Sequence, residues 1–242
     1  MQYKLEICVS SMPSALKAQK GGADRIELCD NMAEGGTTPS FGLIKVCKEK
    51  LTIPVFPIIR PRGGNFVYTA EEFEVMQTDI LACKSLGCEG VVLGLLNLNK
   101  TIDTERCAAL IALARPMQVT FHRAFDACHN LEKALEAIIS LGCERVLTSG
   151  GEAYAAQGLS KIEALVKRAK DRLVVMPGSG INVNNLADIV LQSGATEFHS
   201  TAKTTLPAAL TPPKLFSDSP LLQTNSKQVK EMKNILLSLG PS

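Results

Sequence analysis

The chain has no tryptophan, only three tyrosines and no long basic block with aromatics among it. These absences argue against nucleic acid as a partner, because such surfaces combine clustered Lys and Arg with aromatic stacking platforms. Charge of one sign is also lacking: 26 Lys and Arg face 24 Asp and Glu, and the net charge is +2. No apolar run approaches the ~18 residues that a membrane span needs, so no membrane association is expected. The N-terminus shows no basic segment leading into an apolar stretch and a small-residue cleavage site. The expectation is a cytoplasmic protein. Its eight cysteines, spread through predicted strands and helices, are expected to be free thiols.

What is present is a regular alternation. Apolar strands are predicted near residues 3–8, 24–29, 53–59, 89–93, 118–122, 144–148, 172–176 and 195–199. Amphipathic stretches such as Glu71 to Leu86 and Asn130 to Leu141 read as crossover helices between them. Gly21-Gly22, Gly87, Gly142 and Gly194 stand where helices end, since glycine accepts the left-handed conformation that turns the chain back. Eight such units predict an α/β fold, a (β/α)8 TIM barrel over residues 1–205. An open doubly wound sheet is the alternative, but polar residues at the ends of nearly every strand favour closure. Residues 206–242 are expected to form a C-terminal extension, running through Leu206-Pro207 and Thr211-Pro212-Pro213. It ends in a helix from about Ser226 to Leu239 that packs on the barrel or on a second subunit.

Two strands repeat one pattern, Leu5-Glu6-Ile7-Cys8 and Ile26-Glu27-Leu28-Cys29. Alternation along a strand puts each Glu and Cys on one face, with the Cys nearer the C-terminal end, where barrels carry their chemistry. Neighbouring strands lie ~4.8 Å apart, so Cys8 and Cys29 could bracket one soft ion such as Cu(I). The plainer reading is two small buried hydrophobes. Glu6 and Glu27 need partners inside apolar strands, and Arg60, Arg25 and His122 are candidates. Glu6, Glu27, Arg60 and His122 are thus the candidate proton-transfer and binding groups, unless they form a structural ion-pair network. Gly178, Ser179 and Gly180 close strand seven where barrels commonly hold phosphate, and Ser200 could complete an anion site. The second functional reading is therefore an enzyme acting on a small phosphorylated or carboxylated metabolite.

Beyond these patterns, seven runs in order resemble the CutC copper-homeostasis family. They are Leu5 to Cys8, Gly21 to Cys29, Glu34 to Ser40, Ile59 to Gly64, Val119 to Asp126, Leu147 to Gly150 and Glu197 to His199. The resemblance covers residue 3 to about 203 and implies a cytoplasmic TIM barrel, usually a homo-oligomer, with Cu(I) at Cys8 and Cys29. The family usually carries a basic, tyrosine-containing segment after strand eight. Here Leu206 to Pro213 is apolar and proline-rich instead.

Overall fold

The computed structural model describes residues 3–207 and 221–240, so the Thr211-Pro212-Pro213 stretch lies outside the described residues. Eight parallel strands are β1 (Lys4–Val9), β2 (Arg25–Leu28), β3 (Val55–Pro57), β4 (Gly90–Leu93), β5 (Gln118–Phe121), β6 (Arg145–Thr148), β7 (Val174–Pro177) and β8 (Glu197–Ser200). Between them run α1 (Met12–Gly21), α2 (Phe41–Lys50), α3 (Ala70–Ser85), α4 (Thr104–Ala114), α5 (Leu131–Ser140), α6 (Leu159–Ala169) and α7 (Leu186–Ser193). Local chemistry sets their ends. Ser11 caps α1, Thr69 and Glu72 form a reciprocal capping box on α3, and Gly22 closes α1 at φ 91°.

The strands form two four-stranded parallel sheets, ordered β3-β2-β1-β8 and β4-β5-β6-β7. A parallel bridge between Ile58 and Val92 joins β3 to β4, and β7 lies beside β8. Strand one pairs with strand eight, from Lys4 opposite Glu197 to Ile7 opposite Ser200. The circuit is that of a (β/α)8 barrel, as the alternation predicts.

After β8 the chain forms a short antiparallel hairpin of β9 (Lys203–Thr205) and β10 (Leu222–Thr224), then α8 (Ser226–Leu239). This helix packs against α1 and α7, in the place of the eighth barrel helix. A Cβ added at Gly21 would lie 2.5 Å from Val229 Cβ, so glycine lets α8 seat closely on α1. Lys233 Nζ is 2.6 Å from Asp24 Oδ2. The sequence reading puts this helix in an extension because the detour after β8 breaks the spacing of the repeat.

The barrel interior carries a buried layer of charge. Arg25 pairs with Glu6 and, at 2.6 Å, with Glu197, which also accepts from Arg145 Nε at 3.2 Å. Phe56 lies against both guanidinium groups, 5.5 Å from Arg25 and 5.3 Å from Arg145. Glu6 therefore belongs to a structural network.

Candidate functional site

Above that layer, at the C-terminal ends of the strands, opens a cavity of about 310 Å³ lined by Cys8, Glu27, Arg60, His122, His199 and Thr201 among others. Glu6, grouped with these by sequence, does not line it. The register explains how the two cysteines meet. Cys8 is level with Glu27, so Cys29 projects from two residues farther along β2 and the sulfurs come within 3.3 Å. Cys8 Sγ also donates to the thioether of Met32, 3.7 Å away in the 3₁₀ turn Met32–Glu34. Gly36 lies over Cys29 at φ 93°, and a Cβ there would come 3.3 Å from its sulfur. Cys29 is thus covered, while Cys8 faces the cavity.

Glu27 finds its partner in His199, whose Nε2 donates to Oε2 at 2.8 Å. Burial alone would depress the imidazole, but hydrogen bonds with Cys8 and Glu27 and the charges of Glu27 and Glu6 hold it protonated, well above its usual range. Burial would raise the Glu27 carboxyl, and the bond and charge of His199 lower it overall. The pair is an internal ion pair. Both thiols are pushed up. Cys8 rises through its contact with Cys29 and through burial; for Cys29 the contact with Cys8 pulls down, and burial with the nearby carboxylates lifts it to about 11.

Arg60 is buried, yet no carboxylate lies within ion-pair distance of it among the described residues. Its Nη1 donates to the carbonyls of Glu34 and Gly36 and its Nη2 to that of Gly64, tying together the loops after β2 and β3. Of the three candidate partners Arg60, Arg25 and His122, Arg25 is the one that pairs with Glu6; Arg60 and His122 pair with neither carboxylate, and Glu27 is taken by His199. His122 Nδ1 accepts from Ala124 N at 3.2 Å. Burial and then the Arg60 charge lower its pKa to about 4, so the ring is neutral at pH 7.

Gly94, the one strand end without a polar side chain, makes room for that ring: a Cβ there would stand 2.7 Å from His122 Cε1 and Nδ1. Gly94→Ala is expected to destabilise the fold by about 1–3 kcal/mol through overpacking, read as a lowered urea midpoint. An unchanged midpoint would show that the ring can move aside.

The glycine turn after β7 does not reach the cavity. Gly178 N donates to Thr148 O at 2.9 Å and Ser179 Oγ to Ala153 O at 2.7 Å, while Gly180 packs against Tyr154. Ser200 Oγ donates to Ile181 O at 2.6 Å and accepts from Ala202 N at 3.2 Å, which occupies it in closing the loop. Two residues absent from the sequence candidates are central. His199 shares the i, i+2 pattern of the Glu-x-Cys strands, a usable signal, whereas nothing in the spacing marks Met32.

The CutC family model matches residues 3–204. The chain belongs to the CutC family. A human protein named copper homeostasis protein cutC homolog is 52% identical over 203 residues, covering 84% of this chain and 74% of that one. A solved structure from Streptococcus agalactiae, described as a putative copper homeostasis protein CutC, superposes with a TM-score of 0.79 at 35% identity, covering 82% of this chain and 98% of that one. Thiamine phosphate pyrophosphorylase from Pyrococcus furiosus, at 15% identity and TM-score 0.62 over 98% of each chain, shares the fold alone. Cys8, Glu27, Arg60, His122 and His199 all fall within the CutC match.

Proposed function

We propose that this CutC protein binds Cu(I) through Cys8 and Cys29 and serves copper handling in the cytoplasm. The observation that carries the reading is the sulfur cluster. Metal–thiolate bonds of ~2.3 Å, the zinc value, spread two sulfurs to ~4.6 Å when linear and ~4.0 Å when trigonal. Separations of 3.3 Å to Cys29 and 3.7 Å to Met32 around Cys8 lie nearer the trigonal spacing. Three soft sulfur donors suit Cu(I), and the Glu27 carboxylate stands in the same cluster. A reducing compartment is in keeping with eight cysteines that are all free.

The test is a competition titration against a Cu(I) chelator under reducing conditions. Cys8→Ser with Cys29→Ser should weaken binding at least about a hundredfold, because hydroxyls are poor ligands for a soft cation. Met32→Leu should cost about tenfold, losing one weaker ligand. Six other cysteines remain in the double variant, and Cys83 and Cys88 are close neighbours. Equal affinity in wild type and double variant would assign the copper to those thiols and end the proposal.

A second reading is favoured by one observation, the buried Arg60 with no carboxylate partner among the described residues: the mouth accepts a small anionic metabolite.

A further inference from the structure

Among the buried side-chain nitrogens and oxygens of the residues that line the cavity, two stand out. His122 Nε2 and Arg60 Nε have no hydrogen-bond partner among the described residues. Both residues are 4% exposed and both line the same cavity. Phe66 packs against both, its ring 5.0 Å from the His122 ring and 5.1 Å from the Arg60 guanidinium. It fixes their orientations from one side. The buried Tyr68 hydroxyl lies within reach of Arg60, whereas His122 Nε2 meets no acceptor among the described residues. Buried donors are rarely left unpaired, so this nitrogen calls for an acceptor atom brought by a ligand.

The tautomer of His122 defines what that acceptor is. Because Nδ1 accepts from Ala124 N, the single proton of the neutral ring sits on Nε2. His122 lines the cavity, and its Nε2–H is a buried donor suited to a carbonyl or hydroxyl oxygen and unable to take a proton there. Arg60 adds a positive charge that donates to three carbonyls and meets no carboxylate within ion-pair distance among the described residues. A cation without a counter-ion beside a neutral donor fits a carboxylate with a second oxygen next to it. A cavity of 310 Å³ lies at the small end of ligand sites.

We propose that the mouth binds a small 2-oxo or 2-hydroxy acid, with the carboxylate on Arg60 and the adjacent oxygen on the Nε2–H of His122. This deepens the second reading and rests on it. The Glu27–His199 pair and the Cys8 thiol then stand on the same cavity wall as the ligand. The glycine turn at Gly178 to Gly180 takes no part.

The experiment is isothermal titration of the metal-free, chelator-treated full chain with pyruvate, lactate, propionate and inorganic phosphate. The expected result is binding of pyruvate or lactate at least about tenfold tighter than propionate, which lacks the second oxygen. His122→Phe should remove that preference, and His122→Gln, which keeps an N–H donor, should restore part of it. Folding of each variant is checked by circular dichroism. Equal binding of propionate, or a preference for phosphate, would leave an anion site standing and overturn the assignment of its ligand. No binding of any of the four by the wild type would overturn both. A preference that survives in folded His122→Phe would remove His122 from the site.

Discussion

Arg25→Met is expected to destabilise the protein by about 3–5 kcal/mol, the range for removing one partner from a buried ion pair. Methionine keeps most of the volume, so the loss reports charge more than packing. Arg25 is the hydrogen-bonded ion-pair partner of Glu6, with His199 Nε2 farther off at 3.8 Å, and the closer of two buried partners of Glu197; Arg25, Glu6 and Glu197 are at most 6% exposed. The pH dependence gives the signature. Burial would raise the Glu197 carboxyl, but Arg25 and Arg145 together hold it below its usual range. A lowered carboxylate pKa contributes stability that is present above the unfolded value and lost as pH falls through the folded one. In Arg25→Met the share supplied by Arg25 is gone at neutral pH, so the gap to wild type should narrow as pH falls below ~4, the ordinary carboxylate range, through the lowered value of Glu197. Urea unfolding at pH 7.5 and at about pH 3, below the ordinary carboxylate range, measures it. A deficit that stays the same at both values would refute the electrostatic account.

Copper affinity should rise steeply with pH. Cys29 is lifted to about 11 and Cys8 well above its ordinary value, so both thiols carry protons at neutral pH. A metal that binds thiolates must displace them, and each proton released makes the apparent constant about tenfold larger per pH unit. Two protons give about a hundredfold per unit, or about ten-thousandfold between pH 6 and pH 8, as long as the pH stays below both thiol values. Chelator competition at several pH values measures the slope. A slope near zero would mean that copper is held by groups with no proton to lose, such as the Met32 thioether and the ionised Glu27, and not by the thiol pair.

The barrel was legible from strands and helices whose periods differ, and the pairing of β1 with β8 followed from counting units. The meeting of Cys8 and Cys29 was legible too, since identical patterns on neighbouring strands imply nearby sulfurs. Partner choice was not. Glu27 and His199 come from strands on either side of β1, and Glu6 is level with both Arg25 and His199. Which of these a carboxylate meets depends on stagger and side-chain reach, and sequence spacing carries neither. The turn at Gly178 to Gly180 resembled an anion loop because a tight βα turn needs the same glycines. Arg60 looked like a partner for acid, and it bonds instead to loop carbonyls that no side-chain pattern reveals.

The seating of α8 on α1 governs how the molecule assembles. Val229 fits against Gly21 and Lys233 meets Asp24, while β8 completes the sheet beside β1. Contacts between elements so far apart in sequence carry a large loop-closure entropy before they return any energy, which slows folding. During synthesis, β1 and α1 must wait with an open sheet edge and an uncovered helix face until β8 and α8 have been made. In that interval the edge of β1 is open to strands of other molecules.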